Sequence, residues 1–220
     1  MSWILENDKL IGANGEILNV LPKELWYLAP ARANYSRGEG IVRPLEFAAV
    51  LHNAVMGEGL VTSLNVLLSG VEPTTEKRGA AADAEALLES TRQTNHSDLP
   101  SRLRSYFLNF DRATAEKRAN TMFRGNRRLV RCHLVLNGGR YHFADVGIYE
   151  RLEGRPDDRE LAAKYWERFY PKSDEEFHRL EILADSALFF PDWKDFPTLE
   201  DKSLFAWSLD NPPAVDVERG

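Results

Sequence analysis

The spacing of apolar residues changes partway along this chain, and that change limits the folds the chain can adopt. Between residues 43 and 123 apolar residues recur at the three- and four-residue intervals of amphipathic helices. Over residues 127–149 they alternate with polar residues, which is the period of a β-strand, and Asn137-Gly138-Gly139 supplies a turn signal. Helical spacing returns over residues 159–170 and 173–188. We therefore predict a mainly α fold: a helical bundle with one inserted β-hairpin around residues 127–149.

Residues typical of helix starts support several of the predicted helices. The Ala-, Leu- and Glu-rich run 80–92 has strong helix propensity, and Asp111 can cap a helix over residues 112–123. Asp98-Leu99-Pro100 predicts another helix, through Phe110. The first 40 residues look irregular, with short extended pieces. We expect a single domain over residues 1–210 and a frayed C-terminal tail over residues 211–220.

Composition excludes several classes of protein. The chain has 220 residues, of which 43% are hydrophobic and 28% are charged, as in ordinary soluble globular proteins. One cysteine, Cys132, cannot form an intrachain disulfide. No apolar run approaches the roughly 18 residues of a membrane helix. The start lacks the basic flank and apolar core of a signal peptide. We therefore expect a cytoplasmic protein with no membrane association.

Charge is unevenly distributed along the chain. The formal net charge is −6, yet residues 101–144 hold 10 basic and 2 acidic residues, and nine of the ten basic residues are arginine. Residues 145–220 hold 10 basic and 19 acidic residues. One interpretation is that these two oppositely charged segments lie against each other and neutralise one another. The other interpretations assign a partner to one segment.

Two charged surfaces are candidates for binding. The acidic third would attract a basic protein partner and bind it less tightly as salt rises. Its candidate residues are Asp157, Asp158, Glu160, Asp174, Glu175 and Glu176. The arginine-rich segment 102–140 would instead grip the phosphates of a nucleic acid or another phospholigand, with Tyr141 and Phe143 available for stacking. Its candidate residues are Arg124, Arg127, Arg128, Arg131 and Arg140.

No known catalytic motif is present. The sequence has no Gly-x-Ser-x-Gly elbow, no phosphate-binding loop ending in Gly-Lys-Ser/Thr, no Gly-x-Gly-x-x-Gly turn and no His-Glu-x-x-His. His133 and His142 could meet across the predicted hairpin, but Cys132 and His133 point to opposite strand faces and cannot easily bind one metal. We therefore expect no enzyme activity, no catalytic residue, no cofactor and no metal. An unrecognised enzyme stays an alternative.

Parts of the chain resemble a bacterial family of small helical domains that includes a DNA-mimic protein. The similar segments are Gly57-Glu58-Gly59-Leu60, Leu67-Leu68-Ser69-Gly70, the Gly-Ala-led run from Arg78 to Leu88, and Glu167-Arg168-Phe169-Tyr170. The resemblance implies a mainly helical, non-catalytic protein that binds another protein, as immunity and regulatory proteins do. The predicted hairpin would be an insertion.

The sequence therefore favours a non-enzymatic cytoplasmic protein that binds and inhibits or regulates a protein partner through a charged surface. An immunity protein, an antitoxin or a DNA-mimic inhibitor would fit, with a toxin or a DNA-binding protein as the partner. Binding of nucleic acid or a phospholigand is the first alternative.

Overall fold

The computed structural model describes residues 3–30, 43–69, 79–123 and 127–196. The strands in these residues are β1 (Trp3–Glu6), β2 (Lys9–Gly12), β3 (Ile17–Asn19), β4 (Leu25–Pro30), β5 (Leu60–Val61), β6 (Tyr106–Asn109), β7 (Arg127–Leu134), β8 (Arg140–Asp145), β9 (Leu180–Asp185) and β10 (Leu188–Phe189). The α-helices are α1 (Arg43–Met56), α2 (Leu64–Leu67), α3 (Ala80–Asn95), α4 (Arg112–Thr121), α5 (Val146–Glu153), α6 (Arg159–Tyr165) and α7 (Asp174–Phe177). Arg102–Arg104 and Trp193–Asp195 form short 3₁₀ helices. The predicted C-terminal tail lies outside the described residues.

The prediction of a mainly helical bundle is wrong, because the chain folds as a mixed α/β protein. An antiparallel sheet of seven strands has the order β5-β10-β7-β4-β6-β9-β8, and β1, β2 and β3 form a second, three-stranded sheet. Ser186 and Ala187 alone separate β9 from β10, yet these strands occupy the sixth and second places in the order. The large sheet must therefore curl until the two strands meet.

The predicted hairpin over residues 127–149 does not form. Strand β7 pairs with β4 and β10, whereas β8 pairs with β9. The segment that contains β9 and β10 runs between the two predicted hairpin strands, with Leu188 opposite Leu134 and Asp185 opposite Arg140. Each strand of the predicted hairpin therefore pairs with a strand from this later segment and not with the other hairpin strand.

Two segments predicted as helices are strands. The run over residues 177–188 contains β9, in which every residue from Leu180 to Ala184 is buried. Ile182 packs in one core and Leu183 in another, so both faces of β9 are covered. A strand covered on both faces loses its alternation of apolar and polar residues, and its period then no longer separates it from a buried helix. The end of the helix predicted through Phe110 is likewise strand β6.

Three clusters of buried apolar residues hold the elements together. On one face of the large sheet α1 packs on β4 and β5, where the Tyr27 and Tyr106 rings meet edge to face at 5.9 Å. On the other face α3, α5 and α6 pack on one another and on Leu183 of β9. The three-stranded sheet packs through Leu10 against Val135 and Phe189. The predicted helices at 80–92 and 112–123 are confirmed as α3 and α4.

Within the described residues, no helix combines the length and the apolar character needed to cross a membrane.

Candidate functional site

The predicted acidic residues lie at the starts of two short helices. They are Asp157, Asp158 and Glu160 around the start of α6, and Asp174, Glu175 and Glu176 in the first turn of α7. Asp158 caps α6 by accepting a hydrogen bond from the Leu161 backbone N–H at 2.9 Å. Glu176 accepts one from the Lys172 backbone N–H at 2.6 Å. Carboxylates in a first turn also interact favourably with the helix dipole. Local helix stabilisation therefore accounts for these positions without a partner.

The predicted basic residues do not form one surface. Arg140 lies on β8 opposite Asp185 of β9, whereas Arg131, Arg128 and Arg127 lie on β7 opposite Trp26, Ala29 and Pro30 of β4. The Arg127 guanidinium lies 4.5 Å from the centroid of the Phe123 ring. Arg124 lies outside the described residues. Arg140 and the three arginines of β7 therefore lie beside different strands.

Several central arginines are neutralised by acids from the C-terminal segment. Arg131 Nη2 lies 2.6 Å from Asp192 Oδ1, and Arg140 Nη2 lies 2.6 Å from Asp185 Oδ2. A third pair joins Arg102 to Glu181 (below). The first of the three interpretations of the charge distribution, mutual neutralisation of the two segments, agrees with these contacts.

Arg102 is the centre of a buried polar cluster that the sequence did not reveal. Its guanidinium pairs with Glu85 Oε2 at 3.0 Å and with Glu181 Oε1 at 2.8 Å, and it also contacts the Tyr165 hydroxyl. The Tyr165 hydroxyl donates to Glu181 Oε1 at 2.9 Å. Arg102 is 5% exposed. We call Glu85, Arg102, Tyr165 and Glu181 the Arg102 cluster.

Electrostatics keeps Arg102 charged despite its burial. Burial opposes the charge, but Tyr165, Glu181 and Glu85 outweigh it and raise the pKa of the Arg102 guanidinium. Burial also raises the pKa of the Tyr165 hydroxyl well above its usual value, so the phenol stays protonated and can donate. The cluster joins α3, the first 3₁₀ helix, α6 and β9. It therefore fastens the helical layer to the sheet.

A second buried arginine fixes α4. Arg118 donates to Asn109 Oδ1 at 2.8 Å and to the backbone carbonyls of His178 and Leu180 at 3.1 and 3.2 Å. Burial lowers the pKa of its guanidinium. The Asn109 amide donates in turn to the Trp26 carbonyl at 3.2 Å. Arg118, in the last turn of α4, thereby holds this helix against β6 and β9. A cleft opens beside the other end of the helix, at Asp111 and Arg112.

The cleft lies where β4, β7 and the start of α4 meet the second 3₁₀ helix, and its volume is about 790 Å³. Trp26 and Arg131, which both line it, are direct cross-strand partners. Its lining residues are Lys23, Glu24, Trp26, Phe110, Asp111, Arg112, Arg128, Leu129, Val130, Arg131, Asp192, Asp195 and Phe196. We call it the Trp26 cleft.

Two cations of the Trp26 cleft lie against its aromatic rings. The Arg112 guanidinium is 5.5 Å from the centroid of the Trp26 ring. The Lys23 ammonium is 4.8 Å from the centroid of the Phe110 ring. Cation–π attraction at such distances stabilises both cations in these positions. The cleft is therefore lined by aromatic rings with cations against them.

Some of the remaining charged side chains of the cleft form ion pairs, and others do not. Arg131 pairs with Asp192 and, at 3.3 Å, with Glu24, and the bond to Asp192 in particular raises the pKa of its guanidinium. Arg128 and Asp195 are exposed, and neither side chain has a hydrogen bond, ion pair or ring contact in the part of the chain that the structure describes. Among the described residues, these two are the charged groups of the lining with no side-chain contact of any of these kinds.

Only part of this site could be predicted from the sequence. Arg128 and Arg131 were assigned to a basic surface, but the acids that share the cleft with them, Asp192 and Asp195, come from a segment some 60 residues away. Residues so distant carry no spacing signal, because only the folded sheet brings them together.

No known protein-family model matches this chain, and no curated protein is significantly similar to it in sequence. The functional argument therefore rests on the geometry of the molecule.

Proposed function

We propose that this protein acts by binding a polypeptide segment of a partner protein in the Trp26 cleft. The observation that carries the proposal is the composition of the lining, which combines three aromatic rings with four cations and four carboxylates. Trp, Phe and Arg are enriched in the energetically important parts of protein interfaces.

The balance of charge favours a polypeptide over a nucleic acid. The cations are Lys23, Arg112, Arg128 and Arg131, and the carboxylates are Glu24, Asp111, Asp192 and Asp195. A phosphate backbone would bring negative charge toward four carboxylates, and nucleic-acid sites are normally strongly positive. A polypeptide segment can present both signs of charge together with apolar side chains.

The buried polar groups support binding rather than catalysis. General acid–base chemistry needs groups that can reach a substrate. The side chains of Arg102, Glu85 and Glu181 are 4%, 6% and 10% exposed, and they use their polar atoms on one another. Their arrangement suits a structural role, in which they hold the helical layer on the sheet.

The resemblance stated from the sequence also implies a protein that binds and regulates a partner, but it implies a mainly helical fold, which this chain does not have, so the proposal does not rest on it. Whether that partner is a toxin or a DNA-binding protein stays a prediction. So does a contribution of the acidic residues of α6 and α7 to the contact.

A random peptide library displayed on phage tests the proposal. Selection on the immobilised full chain should enrich peptides that bind at least tenfold more weakly to Trp26→Ala, because truncation of a central aromatic residue in an interface typically costs about 2 kcal/mol or more. Tyr170→Ala is the matched control: this aromatic residue is 64% exposed and does not line the cleft. Its peptide affinity should equal that of the wild type.

Two results would overturn the proposal. One is the absence of enriched peptides, or equal binding by the wild type and a folded Trp26→Ala. The other is tight binding of a mixed-sequence oligonucleotide at low salt that Arg128→Glu abolishes, which would favour the nucleic-acid alternative.

A further inference from the structure

The two charged groups of the Trp26 cleft without a side-chain contact in the described residues specify what its partner must carry. We infer that the bound segment presents an acidic side chain to Arg128 and a basic side chain to Asp195. This inference rests on the proposed function of the cleft and adds the chemical class of the segment.

Every other charge in the lining already has a favourable contact. Arg131, Glu24 and Asp192 form one ion-paired group, and Arg112 pairs with Glu116 while lying against Trp26. Lys23 lies against Phe110, and Asp111 accepts a hydrogen bond from the Thr114 backbone N–H as the cap of α4. Arg128 and Asp195, in contrast, have no such contact within the described residues.

A bound segment would displace water from both charged groups. An ion that loses hydration without gaining a counter-charge opposes binding, so a segment that covers both groups must supply one charge of each sign. A segment with two acids or two bases would leave one group unpaired or facing a like charge. The two positions therefore select for a mixed-charge sequence.

The cleft also offers a bound segment apolar side chains that are only half-buried in the protein. Trp26, Leu129 and Phe196 all line the cleft and all retain partial exposure. A segment that covered them with polar groups alone would leave those groups without partners. We therefore expect the segment to carry at least one aliphatic or aromatic residue in addition to its acid and its base.

Charge reversal tests the inference with the same displayed peptide library. Peptides selected on the wild type should bind Arg128→Glu and Asp195→Lys more weakly, on the order of five- to tenfold for each, because each change replaces an attraction by a repulsion. Selection on the double variant R128E/D195K should enrich peptides in which the acid and the base have exchanged places. Both residues are exposed, so these variants should keep the melting temperature of the wild type.

The matched control reverses an exposed pair outside the cleft. Arg155→Glu combined with Glu150→Lys changes the same number and sign of charges, and neither residue lines the cleft. This variant should bind the wild-type peptides unchanged, which separates a local effect from an effect of total charge.

The outcomes separate the two proposals. If no peptide is enriched, or if the enriched peptides ignore Trp26→Ala, the proposed function itself fails. If peptides bind in a Trp26-dependent way but show the same charge pattern on the wild type and on R128E/D195K, the charge inference alone is overturned. An exchange of acid and base between the two selections supports both.

Discussion

Replacement of Arg102 by methionine should destabilise the protein far more than the loss of one side chain suggests. Arg102 is 5% exposed and holds two carboxylates, those of Glu85 and Glu181, which are themselves buried. Met fills much of the same volume but removes the Arg102 cation from both carboxylates. Breaking a buried pair in this way costs about 3 to 5 kcal/mol, a large part of the roughly 5 to 15 kcal/mol by which domains are stable.

The triple variant R102M/E85Q/E181Q isolates the electrostatic part of that cost. It removes both negative charges as well as the cation, so it should recover about half or more of the lost free energy of unfolding, since an uncharged replacement of a buried ion pair is often close to neutral. Urea unfolding followed by tryptophan fluorescence measures both variants, because Trp166 lies 5.1 Å from the Tyr165 ring of the cluster.

Arg112→Met is the control for this experiment. Arg112 forms an exposed ion pair with Glu116, and its loss should change the free energy of unfolding by less than about 1 kcal/mol. The reasoning is refuted if R102M costs no more than the triple variant, because the two buried carboxylates would then not need their cation.

Three further predictions concern stability and reactivity. Gly59 has φ +100°, and a Cβ there would lie 2.5 Å from the Phe189 ring, so Gly59→Ala should cost about 2 to 4 kcal/mol in thermal melts. Gly138→Ala, at φ +69° with open space around it, should cost about 1 kcal/mol, and equal losses would refute the steric argument. Burial lowers the pKa of the His142 imidazole, so the unfolded chain binds its proton more readily and the free energy of unfolding should fall as the pH drops below about 6.5; His142→Gln should reduce that fall in urea titrations across this range. Cys132 is fully buried and burial raises the pKa of its thiol, so a thiol reagent should modify it at the rate of unfolding, and rapid labelling of the native protein would contradict its placement.

Local sequence patterns predicted the elements whose stability is largely local. The run at 80–92 has the composition of a helix, and the run at 112–123 follows the cap residue Asp111; both are helices. Patterns failed for β9, where a continuous apolar run fits a buried helix as well as a strand covered on both faces. They failed for the hairpin because Asn137-Gly138-Gly139 signals a turn but says nothing about which strand lies beside each arm.

The candidate site likewise has features that the sequence predicted and features that depend on the fold. The sequence identified Arg128 and Arg131 as members of an arginine-rich segment, and it offered mutual neutralisation by the acidic segment as one interpretation. It could not show that Arg131 would find Asp192 while Arg128 would find no partner in the described residues. Ion pairs between distant segments depend on the register of the sheet, which places Arg131 beside Trp26 and brings the turn after β10 alongside.

The amino-acid sequence by itself determined the charge of each segment, the absence of an intrachain disulfide and the helices that carry their own caps and propensities. Tertiary structure alone decided that β9 and β10 pass between β7 and β8, that Arg102 is enclosed, and that the Trp26 cleft combines both signs of charge. The physical reason is that strand pairing and burial join residues far apart in sequence. Their free energy depends on the whole curled sheet, and no local run of residues encodes it.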